Sequence, residues 1–255
     1  MKFAFFFSAL MIQVNVFARC ASNGIWCWPS ADVVNPNSIL ILEFYGSSRE
    51  VAEGLDDRYP VYLKAGNQKL RLNVIEKPDG GFMLTQRVMK PEAALTCGVR
   101  YELVIENLEA AHRNYLKWDS QDQKFTSYSW MVSEKKDTTP PAWTGQPTFL
   151  SKSYSMFGCG PAKYVHFAVS TADTSPVFAK TSLKNLATGK ISTFYLQIEE
   201  GRIAIGHGMC SGAFKLDDGT SYEVSFVLVD ASGNISIVAQ QVQFRAPVPS
   251  DEGSS

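Results

Sequence analysis

No block of lysine and arginine occurs anywhere in the 255 residues. Binding a nucleic acid through its phosphates needs clustered basic side chains, so that class of function is set aside. Beyond the first dozen residues no apolar run approaches the ~20 residues a membrane helix requires. Histidine is scarce: His112, His166 and His207 are the only three, and none stands in a zinc-ligand spacing such as H-E-x-x-H. His166 falls on the outward phase of its segment, where a solvated imidazole is the ordinary reading. Helical periodicity is scarce as well, which excludes a helical bundle or an α/β alternation.

The N-terminus supplies the first positive signal. Lys2 precedes a nearly unbroken apolar run from Phe3 to Ile12, and Val16 and Ala18 form a small-residue cleavage pattern. This predicts a secretory signal peptide over residues 1–18, cut after Ala18. The run is short for a membrane anchor. A lipidated start at Cys20 is disfavoured by Arg19 and Phe17, where small and Leu-like residues are expected. Removing 18 of 255 residues leaves 237, room for two domains of ordinary size. Loss of Lys2 leaves 23 basic against 25 acidic residues, a net charge near −2. The expected location is extracytoplasmic: secreted, periplasmic or at the cell surface.

All five cysteines (Cys20, Cys27, Cys97, Cys159, Cys210) lie beyond the expected cut, so disulfides are the default reading. Cys159 and Cys210 share the second half and are expected to pair there. In the first half Cys27–Cys97 is preferred, with Cys20 left over, and Cys20–Cys97 is an open alternative.

Short alternating segments dominate the rest. "LRLNV" sets Leu70, Leu72 and Val74 on one face, and "YELVI" does so with Tyr101, Leu103 and Ile105. "YVHFAVS" sets Val165, Phe167 and Val169 inward, and "YEVSFVLVD" aligns Tyr222, Val224, Phe226 and Leu228. A period of two marks half-buried strands, and the intervening Gly, Asp and Asn clusters mark turns. Near the end, Ile235 and Ile237 are out of phase with Val242 and Phe244, which predicts an irregularity at 239–241.

Two segments repeat. Leu95, Gly98, Tyr101 and Glu102 match Leu216, Gly219, Tyr222 and Glu223 in register, an offset of 121 residues (216 minus 95). A domain-sized offset means two tandem copies of one unit. The expected role is a tyrosine corner: Leu caps the core, Gly allows the turn, and the Tyr hydroxyl bonds back to the preceding loop.

This pattern resembles fibronectin type III and bacterial Ig-like domains. "VVNPNSILILEFYGS" (Val33 to Ser47) is similar to the opening of such a domain, and "LVDASGNIS" (Leu228 to Ser236) to its end. "DTTPPAW" (Asp137 to Trp143) resembles the junction before a new one. The resemblance implies an all-β protein of two tandem antiparallel sandwiches. Domain 1 is expected over 24–136, a Pro-rich linker over 137–143, domain 2 over 139–244, and a disordered tail over 245–255.

Candidate sites are few. "GMCSG" (Gly208 to Gly212) has the form of a nucleophile elbow with Cys210 at its centre, yet no helix is expected after it. Asp217, Asp218, Asp230 and Asn234 lie at turns and offer oxygen ligands for Ca²⁺, but they read first as turn formers. Trp26, Trp28 and Trp130 could furnish a sugar-stacking face. No cofactor and no catalytic set is implied. The expected function is non-catalytic: protein–protein contact in adhesion or envelope assembly of a bacterial cell, or alternatively carbohydrate binding on an aromatic platform. The partner is thus a protein or a surface glycan.

Overall fold

The computed structural model describes residue 20 and residues 23–109, 112, 115–119, 123–239 and 241–251. The expected signal peptide lies outside the described residues.

The alternating segments are strands. Tyr101, Leu103 and Ile105 are buried, as are Val165, Phe167, Tyr222, Val224, Phe226 and Leu228. The first half contains β1 (Gly24–Trp28), β2 (Val33–Val34), β3 (Leu40–Tyr45), β4 (Val61–Ala65), β5 (Gln68–Glu76), β6 (Leu84–Pro91), β7 (Arg100–Ile105), β8 (Leu116–Asp119), β9 (Lys124–Ser127) and β10 (Ser129–Val132). A five-residue helix, α1 (Arg49–Glu53), follows β3. Eight of these strands form one sheet in the order β1-β3-β6-β5-β4-β7-β10-β2. Every pair in it is antiparallel except β10 with β2.

That single sheet differs from the two separate sheets expected over 24–136, and β5 is the reason. Its Gln68–Leu72 stretch pairs with β4, while Leu72–Glu76 pairs with β6, with a register shift between Val74 and Glu76. One strand hands over from one side of the core to the other and keeps the ladder continuous. The sheet therefore curls around its own core. Ile25 and Cys27, from one end of the row, share a cluster with Trp130 and Val132 near the other.

The second half contains β11 (Ala142–Trp143), β12 (Thr148–Phe157), β13 (Gly160–Ala168), β14 (Thr171–Ala172), β15 (Val177–Asn185), β16 (Ile191–Gln197), β17 (Arg202–His207), β18 (Ser221–Asp230), β19 (Ile235–Val238) and β20 (Val242–Arg245). A sheet β12-β13-β17 faces a sheet built from β16, β15 and β18, with β19 and β20 on the far edge of β18. Val165, Phe167, Ile203 and Ile205 of the first meet Ala179, Leu183, Val224 and Phe226 of the second. Between β19 and β20 the chain changes phase, and the Ala239 amide donates to the Phe226 carbonyl at 2.9 Å. Of the tail expected over 245–255, residues 245–251 are described and residues 252–255 lie outside the described residues. Ala246 is buried, and the turn Pro249–Asp251 docks on β12 through Lys152–Asp251 at 2.8 Å.

The repeated segments hold the same local geometry. The Tyr101 hydroxyl accepts from the Thr96 amide at 3.3 Å, and the Tyr222 hydroxyl from the Asp217 amide at 3.0 Å. Leu95 and Leu216 are buried, and Gly98 and Gly219 have φ of 71° and 64°. An L-residue is strained there. A Cβ on Gly98 would meet nothing within 4 Å, so Gly98→Ala tests backbone conformation alone. The expected loss is about 1 kcal/mol in chemical denaturation.

The two halves meet over a third apolar cluster. Ile39, Ile41 and Val88 of the first half pack on Phe178, Tyr195, Val229 and Ala231 of the second. The Gln86 side chain crosses the joint. Its Nε2 donates to the Tyr195 carbonyl at 2.9 Å, and its Oε1 accepts from the Tyr195 amide at 3.1 Å. It thus pairs with β16 as another strand's backbone would. At one end of the joint, Phe82 and Gly212 exchange backbone hydrogen bonds, and the Gly81 amide donates to the Ala213 carbonyl at 2.7 Å. At the other end Asp137 is held from both sides: its carbonyl accepts from Asn37 Nδ2 at 2.7 Å and from Asn234 Nδ2 at 3.1 Å. The halves are joined by packing and hydrogen bonds along β3 and β6, well beyond the reach of the prolines in "DTTPPAW".

Candidate functional site

Where the packed joint opens, a cleft of about 920 Å³ remains between the halves. Its first wall is the outer face of the eight-stranded sheet. Burial alternates along β1, so Ile25 and Cys27 face the core while Trp26 and Trp28 face out. Trp26 is 40% exposed, its ring 6.0 Å from that of Tyr45, and it stands opposite Glu43 in the β1–β3 ladder. Trp28, Glu43 and Gln86 line the cleft itself. The second wall comes from β13, β16 and β17, with Tyr164, His166, Tyr195, Gln197 and Arg202.

Glu43 is the unusual group. It occupies the outward phase of β3 between Ile41 and Tyr45, and its Oε2 accepts from Gln86 Nε2 at 2.8 Å. Burial penalises the carboxylate more than Gln86 stabilises it, and the pKa rises from 4.5 to about 7. At neutral pH the group can therefore both donate and accept. At Glu43 the folded state holds more protons than the unfolded chain between pH ~4.5 and ~7, so this group's contribution to stability falls as pH rises through that window, at most by about 1.4 kcal/mol per unit. The difference in stability between wild type and Glu43→Gln, measured by denaturation at pH 5 and pH 7, should change with pH in this direction.

The opposite wall carries Glu199, Glu200 and Arg202 beside Tyr164, His166 and Gln197. Burial, and then the Arg202 charge, lower the pKa of His166 and favour its uncharged imidazole. Burial raises that of Tyr164. Arg202 is paired with Glu200 at 2.9 Å, both exposed. Lys180 spans the joint nearby to Glu76 at 2.8 Å. Glycines let the floor close up: a Cβ on Gly206 would lie 1.9 Å from the Lys163 carbonyl oxygen, and one on Gly212 2.3 Å from His207 Cα. "GMCSG" thus serves close backbone approach. A strand precedes it, but an irregular segment follows, without the helix an elbow requires.

The cysteines depart from the expected pairing. Cys210 is bonded to Cys20, not to Cys159, and Cys27 and Cys97 are not bonded to each other. Cys27 sits inside the first core while Cys97 lies on the surface. Burial pushes the Cys27 thiol far above its usual range. Sequence spacing could not show that Cys20 reaches Cys210 in the loop after β17.

The turn carboxylates also regroup. Asp218 pairs with Lys163, and Asp217 stays with Tyr222. Asp230 instead meets Asp137 and Asp173, and the three carboxylates have oxygens within 4.8 Å of one another. Oxygen donors of this kind suit a hard cation. Each already has turn duties. Asp230 accepts from the Ser232 and Asn234 amides and from Asn234 Nδ2, all at 2.8 Å. Asp173 accepts from the Ser175 amide, and Asp137 from the Thr139 amide and the Ser175 hydroxyl. Asp173, in "TADTSP", gave no sign of joining Asp230 because the two are brought together by the pairing of β15 with β18, where Val177 stands opposite Asp230.

Glu43, Gln86 and Tyr195 were not anticipated either. A usable signal exists in "ILEFY", where a carboxylate interrupts an apolar strand phase. Trp130, by contrast, belongs to the core, with its Nε1 donating to the Pro29 carbonyl at 3.0 Å.

No protein-family model and no curated protein sequence matches the chain. Among solved structures it is similar to pullulanase type I from Bacillus subtilis str. 168 complexed with maltose, at 14% identity and a TM-score of 0.25 over 89% of this chain and 25% of that one. The pullulanase of Anoxybacillus sp. LM18-11 is similar at 10% identity and a TM-score of 0.25, over 80% and 24%. The tandem Ig repeats of Dlar are similar at 12% identity and a TM-score of 0.23, over 88% and 98%. The chain spans about a quarter of the pullulanases' length. At these TM-scores none of the three carries an argument about this chain. Among the described residues no helix is long and apolar enough to cross a membrane.

Proposed function

We propose that this is an exported, non-catalytic binding protein that holds a carbohydrate chain in the cleft between its halves. One observation carries the reading. Trp28 lines the 920 Å³ cleft beside the half-buried Glu43 carboxyl, and Trp26 projects from the same face of the same strand, opposite Glu43 in the ladder. A sugar ring presents an apolar face and a rim of hydroxyls. Flat indole surface suits the first, while Glu43, Gln197 and His166 offer donors and acceptors to the second. A binding role, not a catalytic one, is supported by the disulfide at Cys210, which removes the thiolate an elbow nucleophile would need.

The test is retention on an array of neutral and acidic glycans, followed by titration with the best-retained one. Trp26→Ala should weaken binding roughly tenfold, about 1.4 kcal/mol. Equal affinity in Trp26→Ala and wild type would remove the platform from the account.

A second reading, protein–protein contact, has its own observation. β12 is an edge strand on which Phe149, Leu150, Met156 and Phe157 are each about half exposed. Long apolar edges are templates for added strands. Under this reading Leu150→Lys abolishes capture of a protein partner, whereas under the first it leaves glycan retention unchanged.

A further inference from the structure

We propose that the Cys20–Cys210 disulfide is an exchangeable clasp between the halves, and that the Cys159 thiol is the group that opens it. The sulfur atoms of Cys20, Cys159 and Cys210 all lie within 4.8 Å of one another. Cys210 is bonded to Cys20 across 190 residues, and Cys159 is outside the bond. Three sulfurs in one cluster with a single bond among them are the reactants of a thiol–disulfide exchange already in place.

The positions give the exchange a consequence. Cys20 leads into β1, whose Gly24 pairs with Tyr45 at the end of β3. Cys210 lies in the loop after β17, between Gly206 and Ser211, both of which line the cleft. The same loop exchanges backbone bonds with Phe82 through Gly212. Cys159 lies in the turn between β12 and β13, within the second half. The linker crosses between the halves at the other end of β3, where Ile39 donates to the Ala231 carbonyl and Asp137 is pinned. A Cys20–Cys210 bond therefore closes the joint covalently at the end opposite the linker. A Cys159–Cys210 bond would lie wholly in the second half and leave that end without a covalent link, held by the backbone hydrogen bonds of Gly81 and Phe82 to Gly212 and Ala213.

The step balances without an oxidant or reductant. The Cys159 thiol loses its proton, and its sulfur attacks Cys210 Sγ. The Cys159–Cys210 bond forms as the Cys20–Cys210 bond breaks, and the Cys20 thiolate leaves and takes up a proton. One disulfide and one thiol are present before and after. The proposal is independent of what the cleft binds.

The test uses the exported protein in a Cys97→Ser background, which removes the exposed thiol as an intermolecular reagent. The protein is held at pH 8 without added thiol, then alkylated at intervals and mapped by mass spectrometry of non-reduced peptides. Label on Cys159 should fall as label on Cys20 rises by the same amount, at a rate independent of protein concentration. The two isomers should settle within about tenfold of each other, since exchange trades one disulfide for another. Adding Cys159→Ser should abolish Cys20 labelling. Cys20→Ser should yield a Cys159–Cys210 bond on air oxidation, with the fold confirmed by an unchanged circular dichroism spectrum. Cys20 that stays protected while Cys159 stays fully labelled would overturn the proposal, as would exchange that persists in Cys159→Ser.

Discussion

Asp230→Ala is expected to lower stability by about 3 kcal/mol, a fall in Tm of roughly 6–12 °C for a chain of this size. Asp230 is wholly buried, and three donors from Ser232 and Asn234 end on its carboxylate. Truncation strands the Ser232 and Asn234 amides in the turn that leads from β18 to β19. It also loosens Asn234, whose amide reaches across to the Asp137 carbonyl. Some of the loss is offset, because burial and the Asp137 charge already make ionised Asp230 costly. Asp230→Asn keeps an oxygen for the Ser232 and Asn234 amides and removes the repulsion but turns an NH2 toward Asn234 Nδ2, so it should lose less than Asp230→Ala, about 1–2 kcal/mol. Thermal unfolding followed by circular dichroism separates the two variants.

Gln86→Leu is expected to cost about 3 kcal/mol and to loosen the joint itself. Gln86 is 1% exposed, and its amide satisfies the Tyr195 amide, the Tyr195 carbonyl and Glu43 together. Leucine fills much of the same volume but leaves three buried polar groups without their partner, each worth ~1–3 kcal/mol before relaxation. Denaturant titration measures the loss. Hydrogen exchange should speed up at Tyr195 and its neighbours on β16, while the β4–β7 ladder keeps its protection.

The residues whose roles were legible in the sequence are those whose structure depends on near neighbours. Tyr101 and Tyr222, with the glycines three residues before each, are set by local turn and strand geometry. The inward phase of β7, β13 and β18 follows from period-two burial. What could not be read depends on two strands meeting from far apart. β5 pairs with β4 and β6 in turn, and nothing in "QKLRLNVIE" announces the change of partner. Cys20 reaches Cys210 because the halves are packed along Ile41, Val88, Phe178 and Tyr195, and Asp173 reaches Asp230 because β15 pairs with β18. "DTTPPAW" drew attention as the joint, yet the contacts that hold the halves lie on β3, β6 and β16. The cleft is the product of that packing, so its lining could not be assembled from motifs.

The most direct measurement of the central claim is an indole NMR titration. The chain has five tryptophans, each with its own Nε1–H signal. Titration with the glycan best retained on the array should shift the Trp26 and Trp28 signals in a saturable way. The Trp130 signal, buried and bonded to the Pro29 carbonyl, should stay in place. Glu43→Gln should weaken the response without moving the free-state spectrum elsewhere. Unmoved Trp26 and Trp28 signals at saturating ligand, or shifts confined to β12, would contradict a carbohydrate site in the cleft.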